Sequence, residues 1–276
     1  MSRFKAGRCS KTLWSSGRGL AAPVSTLIIF VSLTLTVSSL YYLATVRVGA
    51  QRGDLRFTAA EEKMLELGSS IDTVAWAPSS SAVVSFSNYE GTLRVEPLSR
   101  RLVLQVTVGA STHTLLNITT GRVVYEMPSR SSGCATYLRG DARAIVNRST
   151  SIMSQVYLSV GDEGEELIVG YRPLVSSSTG GLVGGRRVNN VRVYVITLNA
   201  SDALTLSGEF HVAVSCVNVS SSLYVYNASS ISSITVSANL EGTQSSVLVP
   251  VESGSNGVQV RVEVVVCSVA VREVGL

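Results

Sequence analysis

From Leu20 to Val46 the chain carries no charged residue, and this stretch limits what the rest of the molecule can be. As a helix rising about 1.5 Å per residue it measures about 40 Å, more than the roughly 30 Å hydrocarbon core of a bilayer. The apolar region of a cleavable secretory signal runs only about 7–15 residues, so this segment exceeds it. Pro23 falls in the first turn, where a missing N–H costs little. Residues 1–19 hold Arg3, Lys5, Arg8, Lys11 and Arg18 and no acid. Basic flanks stay cytoplasmic, so a single span is expected, with the N-terminus inside and everything after Val46 outside.

That leader also explains the net charge of +4. Five of the 23 basic groups lie in it, and the remaining 18 face 19 acidic groups, so the rest of the chain is close to neutral. A basic face for nucleic acid is absent, and no nucleic-acid partner is expected.

Beyond the span an amphipathic pattern begins. Phe57, Ala60, Met64, Leu67, Ile71 and Val74 follow 3/4 spacing, which predicts a helix over 47–77. The same phase runs back through Gly53, Ala50, Val46, Leu43, Ser39, Thr36, Ser32, Ile29, Ser25 and Ala22. Within 46–74 every charged residue avoids this stripe. Inside the span the stripe is small and hydroxylated, which lets membrane helices approach closely; the stripe is expected to pack helix on helix. The competing expectation is that the hydroxyls bond back to their own helix. Thr58 with Glu61 has the spacing of a capping box, which would start a helix there. Gly49 and Gly53, poor helix formers, mark an expected bend.

After Pro78 the pattern changes to short β-type runs: Ala82–Ser87, Thr92–Glu96, Leu102–Val108, Arg122–Met127, Gln155–Val160, Asn190–Leu198, Glu209–Val219, Ser222–Tyr226, Ser233–Ala238 and Val258–Val271. The expected fold class is α+β: a long N-terminal helix, then a mainly antiparallel β-sandwich-like exterior domain over 78–276. Ser176–Gly185 is the expected long loop, with a subdivision near 176–187.

An exported domain would use its N-x-[ST] sequons, at Asn117, Asn147, Asn199, Asn218 and Asn227. It would also allow Cys216 to oxidise with Cys267. Strand alternation opposes that pairing, because Cys216 shares parity with Phe210 and Val212 while Cys267 shares it with Arg261 and Glu263. A bulge would restore the match. Cys9 lies in the leader and Cys134 has no evident partner.

Chemistry has no visible carrier. His113 and His211 are the only histidines and both read as surface residues; the cysteines form no C-x-x-C pair. Gly180–Arg187 lacks the Lys-[ST] of a phosphate loop and reads as a turn. Asp162, Glu163, Glu165 and Glu166 lack the ligand series of a calcium loop and read as a solvated hairpin tip. No enzyme activity, cofactor, metal or small-molecule substrate is expected. Lys63 is the one lysine after the span, and no Leu-Pro-x-Thr-Gly motif is present, which excludes sortase-type covalent pili.

Arg18-Gly19-Leu20-Ala21-Ala22-Pro23-Val24, running into Ser25-Thr26-Leu27-Ile28-Ile29-Phe30, resembles the start of archaeal type IV pilins and archaellins. In that family a membrane peptidase cuts after the glycine of a short basic leader, and the retained helix becomes a filament core. The resemblance implies a prepilin-type peptidase as partner, with Gly19 the last leader residue and Leu20 the first mature one. Ala59-Ala60-Glu61-Glu62-Lys63-Met64-Leu65, Ser70-Ile71-Asp72 and Gly91-Thr92-Leu93-Arg94-Val95 are similar to a group of archaeal pilin-like membrane proteins with a β-rich exterior domain. The acid that many type IV pilins carry early in the mature helix is absent, since residues 20–46 contain none. The implied function is a pilin-like surface subunit that assembles with itself or related subunits. The alternative is a permanently anchored surface binding module or stator-like protein. Val48-Gly49-Ala50 also matches a weak signal-peptidase site, which would release the chain from Gln51.

Overall fold

A computed structural model describes residues 21–128, 135–149, 151–161 and 164–275, with the backbone alone for Ala21 and Ala22. One helix, α1 (Ala21–Val74), precedes a strand-rich remainder, and the fold is α+β. The strands are β1 (Ser81–Phe86), β2 (Thr92–Val108), β3 (Ser111–Pro128), β4 (Thr136–Arg139), β5 (Val146–Asn147), β6 (Ser154–Val160) and β7 (Gly164–Tyr171), then β8 (Leu174–Val183), β9 (Arg186–Thr197), β10 (Leu204–Ser207), β11 (Phe210–Ala228), β12 (Ser233–Leu240), β13 (Thr243–Pro250) and β14 (Val258–Val274). The chain divides into two compact units, residues 1–54 and 55–276.

In the first unit α1 is exposed on all sides from Pro23 to Asp54, Leu27, Ile29 and Phe30 included. It is long and apolar enough to cross a membrane. Gly49 and Gly53 do not break it, and an added Cβ at either would meet nothing. A helix start at Thr58 is absent, because α1 continues through that residue.

In the second unit the six stripe residues Phe57, Ala60, Met64, Leu67, Ile71 and Val74 are buried, none more than 3% exposed. They form one core cluster with strands of two sheets. The first sheet has the order β1-β11-β14-β9-β8-β5, and the second β13-β12-β2-β3-β7-β6-β4, with β10 beside β2. Pairing is antiparallel except β14 with β9 and β5 with β8. A second cluster joins the two sheets without any helix residue, through Leu102, Leu104 and Val106, Val191 and Val193, and Val258–Val264.

The sheets curl so that one strand serves both clusters with opposite faces. On β14 the even positions Val258, Val260, Val262 and Val264 enter the second cluster, while the odd positions Cys267, Val269 and Val271 enter the first. On β9, Val191, Val193 and Val195 face one way and Ile196 the other. β2 makes the same switch across an irregularity between Glu96 and Arg100, with Leu93 and Val95 before it and Leu102 to Val108 after it.

Ser176–Gly185 is not a loop. It forms most of β8, and Gly184-Gly185 turns the chain into β9 with φ of 58° and 78°. A two-residue turn positive in φ at both positions matches strand twist, and glycine adopts it without strain. Residues 55–276 form one compact unit, and 176–187 lie within it.

Leu67 and Gly68 give opposite expectations. Leu67→Ala empties a fully buried site and should cost roughly 2–5 kcal/mol. Gly68→Ala would bring its Cβ only to 3.5 Å from Val156 Cγ2, an ordinary contact. Its better helix propensity should then raise stability by up to about 1 kcal/mol. Denaturant unfolding of the two variants, followed by tyrosine and tryptophan fluorescence, checks both.

Candidate functional site

The features that bear on function are the helix, the groups that seat it, and two cavities in the β-rich unit. Gly19 and Leu20 lie outside the described residues, as do Cys9, Cys134, Asp162, Glu163 and the side chain of Ala22. Of the remaining stripe, Ser25, Ile29, Ser32, Thr36, Ser39, Leu43, Val46 and Ala50 are exposed. Thr36 Oγ1 donates to Ser32 O at 2.8 Å within its own helix. From Phe57 to Val74 the stripe is spent on the chain's own core, which corrects the expectation that its whole length packs helix on helix.

Polar groups also hold the end of α1. Tyr171 Oη donates to Gly68 O at 2.8 Å from a fully buried position, adding a second partner to a helical carbonyl. Ser154 Oγ donates to Asp72 Oδ2 at 2.9 Å, and Arg139 pairs with Asp72 at 3.4 Å while donating to Ser69 Oγ at 2.8 Å. Arg56 pairs with Glu90. Just past the helix, Cys216 Sγ donates to Ala75 O at 3.4 Å and Cys267 Sγ contacts the same carbonyl.

The two thiols lie 3.6 Å apart, buried and unbonded. Parity on β14 misplaces Cys267 only because the strand changes its buried face; β14 keeps an unbroken register with β9. The bulge expected of this pairing is on β11, between Cys216 and Asn218, where the register to β14 shifts. Cys216 therefore opposes Val269, one step diagonal from Cys267. Burial, and then the Cys216 thiol beside it, pushes Cys267 up to about 12.

Among the sequons, Asn117, Asn199, Asn218 and Asn227 are exposed and Asn147 is half-buried. His113 is exposed and stacks on Tyr226 at 4.9 Å; His211 is half-buried and its Nδ1 meets Ser85 Oγ at 2.8 Å. Glu165 and Glu166 do not form a solvated tip. Both lie on β7, Glu165 is buried, and Glu166 accepts from Arg94 at 3.2 Å. No group of three or more His, Cys, Asp or Glu side chains could hold a metal among the described residues.

Three polar residues have no signature in the sequence. Arg172 is buried and held on every side: its guanidinium donates to Asp141 Oδ1 at 2.5 Å, to Asp141 O and Arg143 O, to Ile152 O and to Ser151 Oγ. This clamp closes the segment between β4 and β6. Gln155, also buried, donates through Nε2 to Asp141 O at 2.7 Å. Arg100 is 5% exposed on β2, and its Nε donates to Glu241 Oε2 at 2.9 Å. Of the cavities, one of about 270 Å³ is lined by Trp76, Met153, Leu174 and Tyr194 with Arg148 at its edge, Trp76 and Tyr194 meeting edge to face at 5.3 Å. A smaller one of about 120 Å³ is lined by Arg100, Gln155, Tyr137, Tyr157 and Glu241.

The hydrogen bond from Arg143, the largest effect, outweighs desolvation and, with the further hydrogen bonds from Arg172 and the Arg143 backbone, holds the Asp141 carboxyl well below the usual carboxylate range. A carboxyl depressed in the folded state adds stability above its unfolded pKa and loses it as the pH falls. Asp141→Asn should therefore destabilise the protein at pH 7, and the gap to wild type should narrow below about pH 4, as paired unfolding curves would measure. Compared with known proteins, the chain matches no family model, no curated protein and no solved structure.

Proposed function

We propose that this chain is a membrane-anchored, pilin-like cell-surface protein, with a cytoplasmic N-terminus, a leader cut between Gly19 and Leu20, and a sandwich-like β domain outside. The observation that carries the reading is one unbroken helix, Ala21–Val74, with two kinds of surface. Up to Val46 it is uncharged, largely apolar and exposed, a surface that only lipid or other helices cover at low cost. From Phe57 it is a core element of the β-rich unit. An apolar segment that continues without a break into a core element holds the domain directly to the membrane, which suits a subunit held by its helix. The domain's role is surface interaction rather than catalysis, and it takes no cofactor.

A second reading, permanent anchoring without filaments, draws support from the spent stripe. With Phe57–Val74 buried in its own domain, only positions 22–50 remain for helix-on-helix contact.

The N-terminus of the native protein, read by intact mass, tests the first step. Leu20 is the expected start. Met1 would mean an uncut anchor, and Gln51 would mean a released domain and the loss of the anchoring claim. If helices assemble along the stripe, Ser32→Glu should deplete protein from sheared surface fibres. Thr34→Glu, on the opposite side of the helix at the same depth, should carry the same membrane cost and assemble far better. Ala60→Glu cannot serve in this test, because it would bury a carboxylate in the core.

The thiol pair tests the compartment. Outside the cytoplasm Cys216 and Cys267 should be oxidised, so native protein unfolded without reductant should resist alkylation there. Protein kept in a reducing cytoplasm should take label at both once unfolded.

A further inference from the structure

On one flank of the β-rich unit both sheets leave a strand without a neighbour. β11 pairs with β14 along its length, but β1 covers its other side only at residues 210–215, so residues 218–228 present an open edge. β3 keeps β2 on one side, but β7 covers the other only from Val123, so residues 111–121 present a second. The two edges lie together: Tyr224 Oη donates to Leu115 O at 3.0 Å, and Tyr226 stacks on His113. Among the described residues no further backbone–backbone bond reaches either edge.

An open edge is a template for another strand, and proteins blunt it with charge, proline, a bulge or brevity. The other edges of this unit are treated so. β1, β4, β5 and β10 are short. β13 ends in Pro250 and receives Ile145 N on Ser245 Oγ, and a register shift between Thr179 and Leu182 breaks the open part of β8. Residues 218–228 have no charge, proline, glycine or register shift, and Leu223 and Val225 stand 62% and 47% exposed there. Residues 111–121 have no charge either, and only the unpaired Leu115 interrupts them. What these edges carry instead is sequons. Asn218 and Asn227 stand at the two ends of one edge, at an odd spacing that puts them on opposite faces of the strand, and Asn117 lies within the other. All three are exposed. Arg101 Nε, which can only donate, fixes Asn117 Oδ1 toward itself at 3.3 Å and leaves Nδ2, the atom a glycan joins, free. Asn227 likewise accepts through Oδ1, from Gln259 Nε2 at 3.4 Å. Asn147, by contrast, is half-buried on β5, whose neighbour β8 is in place.

We propose that N-linked glycans on Asn117, Asn218 and Asn227 guard these edges, keeping them from pairing with a second copy of the chain. The donor is an oligosaccharide linked to a lipid phosphate. The bond from sugar C1 to the phosphate oxygen breaks, C1 joins Asn Nδ2, the amide gives up one proton, and the lipid phosphate leaves. A hydrated glycan at each end of residues 218–228, one on each face, bars the approach to about 4.8 Å that strand pairing requires. A second copy is the strand to be kept away because its own edge is equally uncharged: antiparallel self-pairing about a two-fold axis meets no like charge. The sugars thus do at these edges what lysine or proline does at others. The proposal rests on the reading that the domain lies outside the cell, where sequons are used.

Peptide mass mapping of the native protein should find glycan at all three sites. The full chain, made in a cell that glycosylates exported proteins and purified in detergent, is then compared by sedimentation with two glycan-free forms. One carries Asn117→Gln, Asn218→Gln and Asn227→Gln; the other keeps the asparagines and carries Thr119→Ala, Ser220→Ala and Ser229→Ala. Every substituted residue is exposed, so unfolding curves should stay close to wild type. Both forms should self-associate at least about tenfold more tightly than wild type. Adding Leu223→Lys and Val225→Lys should reverse this, because lysine blunts an edge without a sugar. The proposal is overturned if Asn218 and Asn227 are bare in native protein, if the glycan-free forms associate no more than wild type, or if the lysines leave the association unchanged. Glycan at Asn199 with none at Asn218 and Asn227 overturns the guard and leaves the exterior reading standing. Sequons bare throughout, with Cys216 and Cys267 reduced, would overturn both.

Discussion

One of the two core clusters of the β-rich unit is arranged around a helical face, Phe57 to Val74, that must be buried by strands. A flat sheet can cover such a stripe from one side only, so two sheets share the task and both have to curl. Curling explains why β2, β9 and β14 each bury opposite faces at their two ends: near the helix they face it, and beyond it they face the other sheet. The aromatic stack of Phe86 with Tyr125 and Phe210, at 5.8 and 5.0 Å, fills the cluster that the helix enters. Tyr171, Ser154 and Arg139 then bind the helix through polar atoms that strands carry to it.

How far the sequence revealed this depends on periodicity. The stripe was legible because 3.6-residue spacing survives whatever the partner is, and all six of its later positions are buried. What spacing could not tell is which partner buries it, since lipid, another helix and a sheet all select the same apolar residues. Long alternating strands such as β14 were legible too. β8 was not, because Ser176, Ser177, Ser178 and Thr179 carry no apolar alternation; backbone pairing with β9 and the Gly184-Gly185 turn make it a strand. Cys267 shows the limit most clearly. Its parity was read correctly, but parity predicts burial only while a strand keeps the same face inward.

Buried polar residues were the least legible part. Arg172 and Arg100 are both arginines deep in the same unit, and nothing in their sequence neighbours separates them from exposed ones such as Arg101. Their fates differ by geometry alone. Arg172 reaches carbonyls of two segments and a carboxylate, so a buried charge that would otherwise be costly becomes a clamp. Arg100 finds one carboxylate, and its Nη1 comes to rest over a glycine.

The two arrangements are linked through β6. Ser154 holds Asp72 of the helix, Gln155 lines the cavity, and Val156 packs against the helix at Gly68, so consecutive residues serve the helix end, the cavity and the core. Such contiguity transmits a signal only where one contact has two arrangements to choose between. Here Gln155 is pinned through Nε2 to the backbone that Arg172 also grips, and Ser154 is fully buried. A strand held from both faces has one arrangement. The lining of the small cavity is thus set by the same contacts that hold β6 in place.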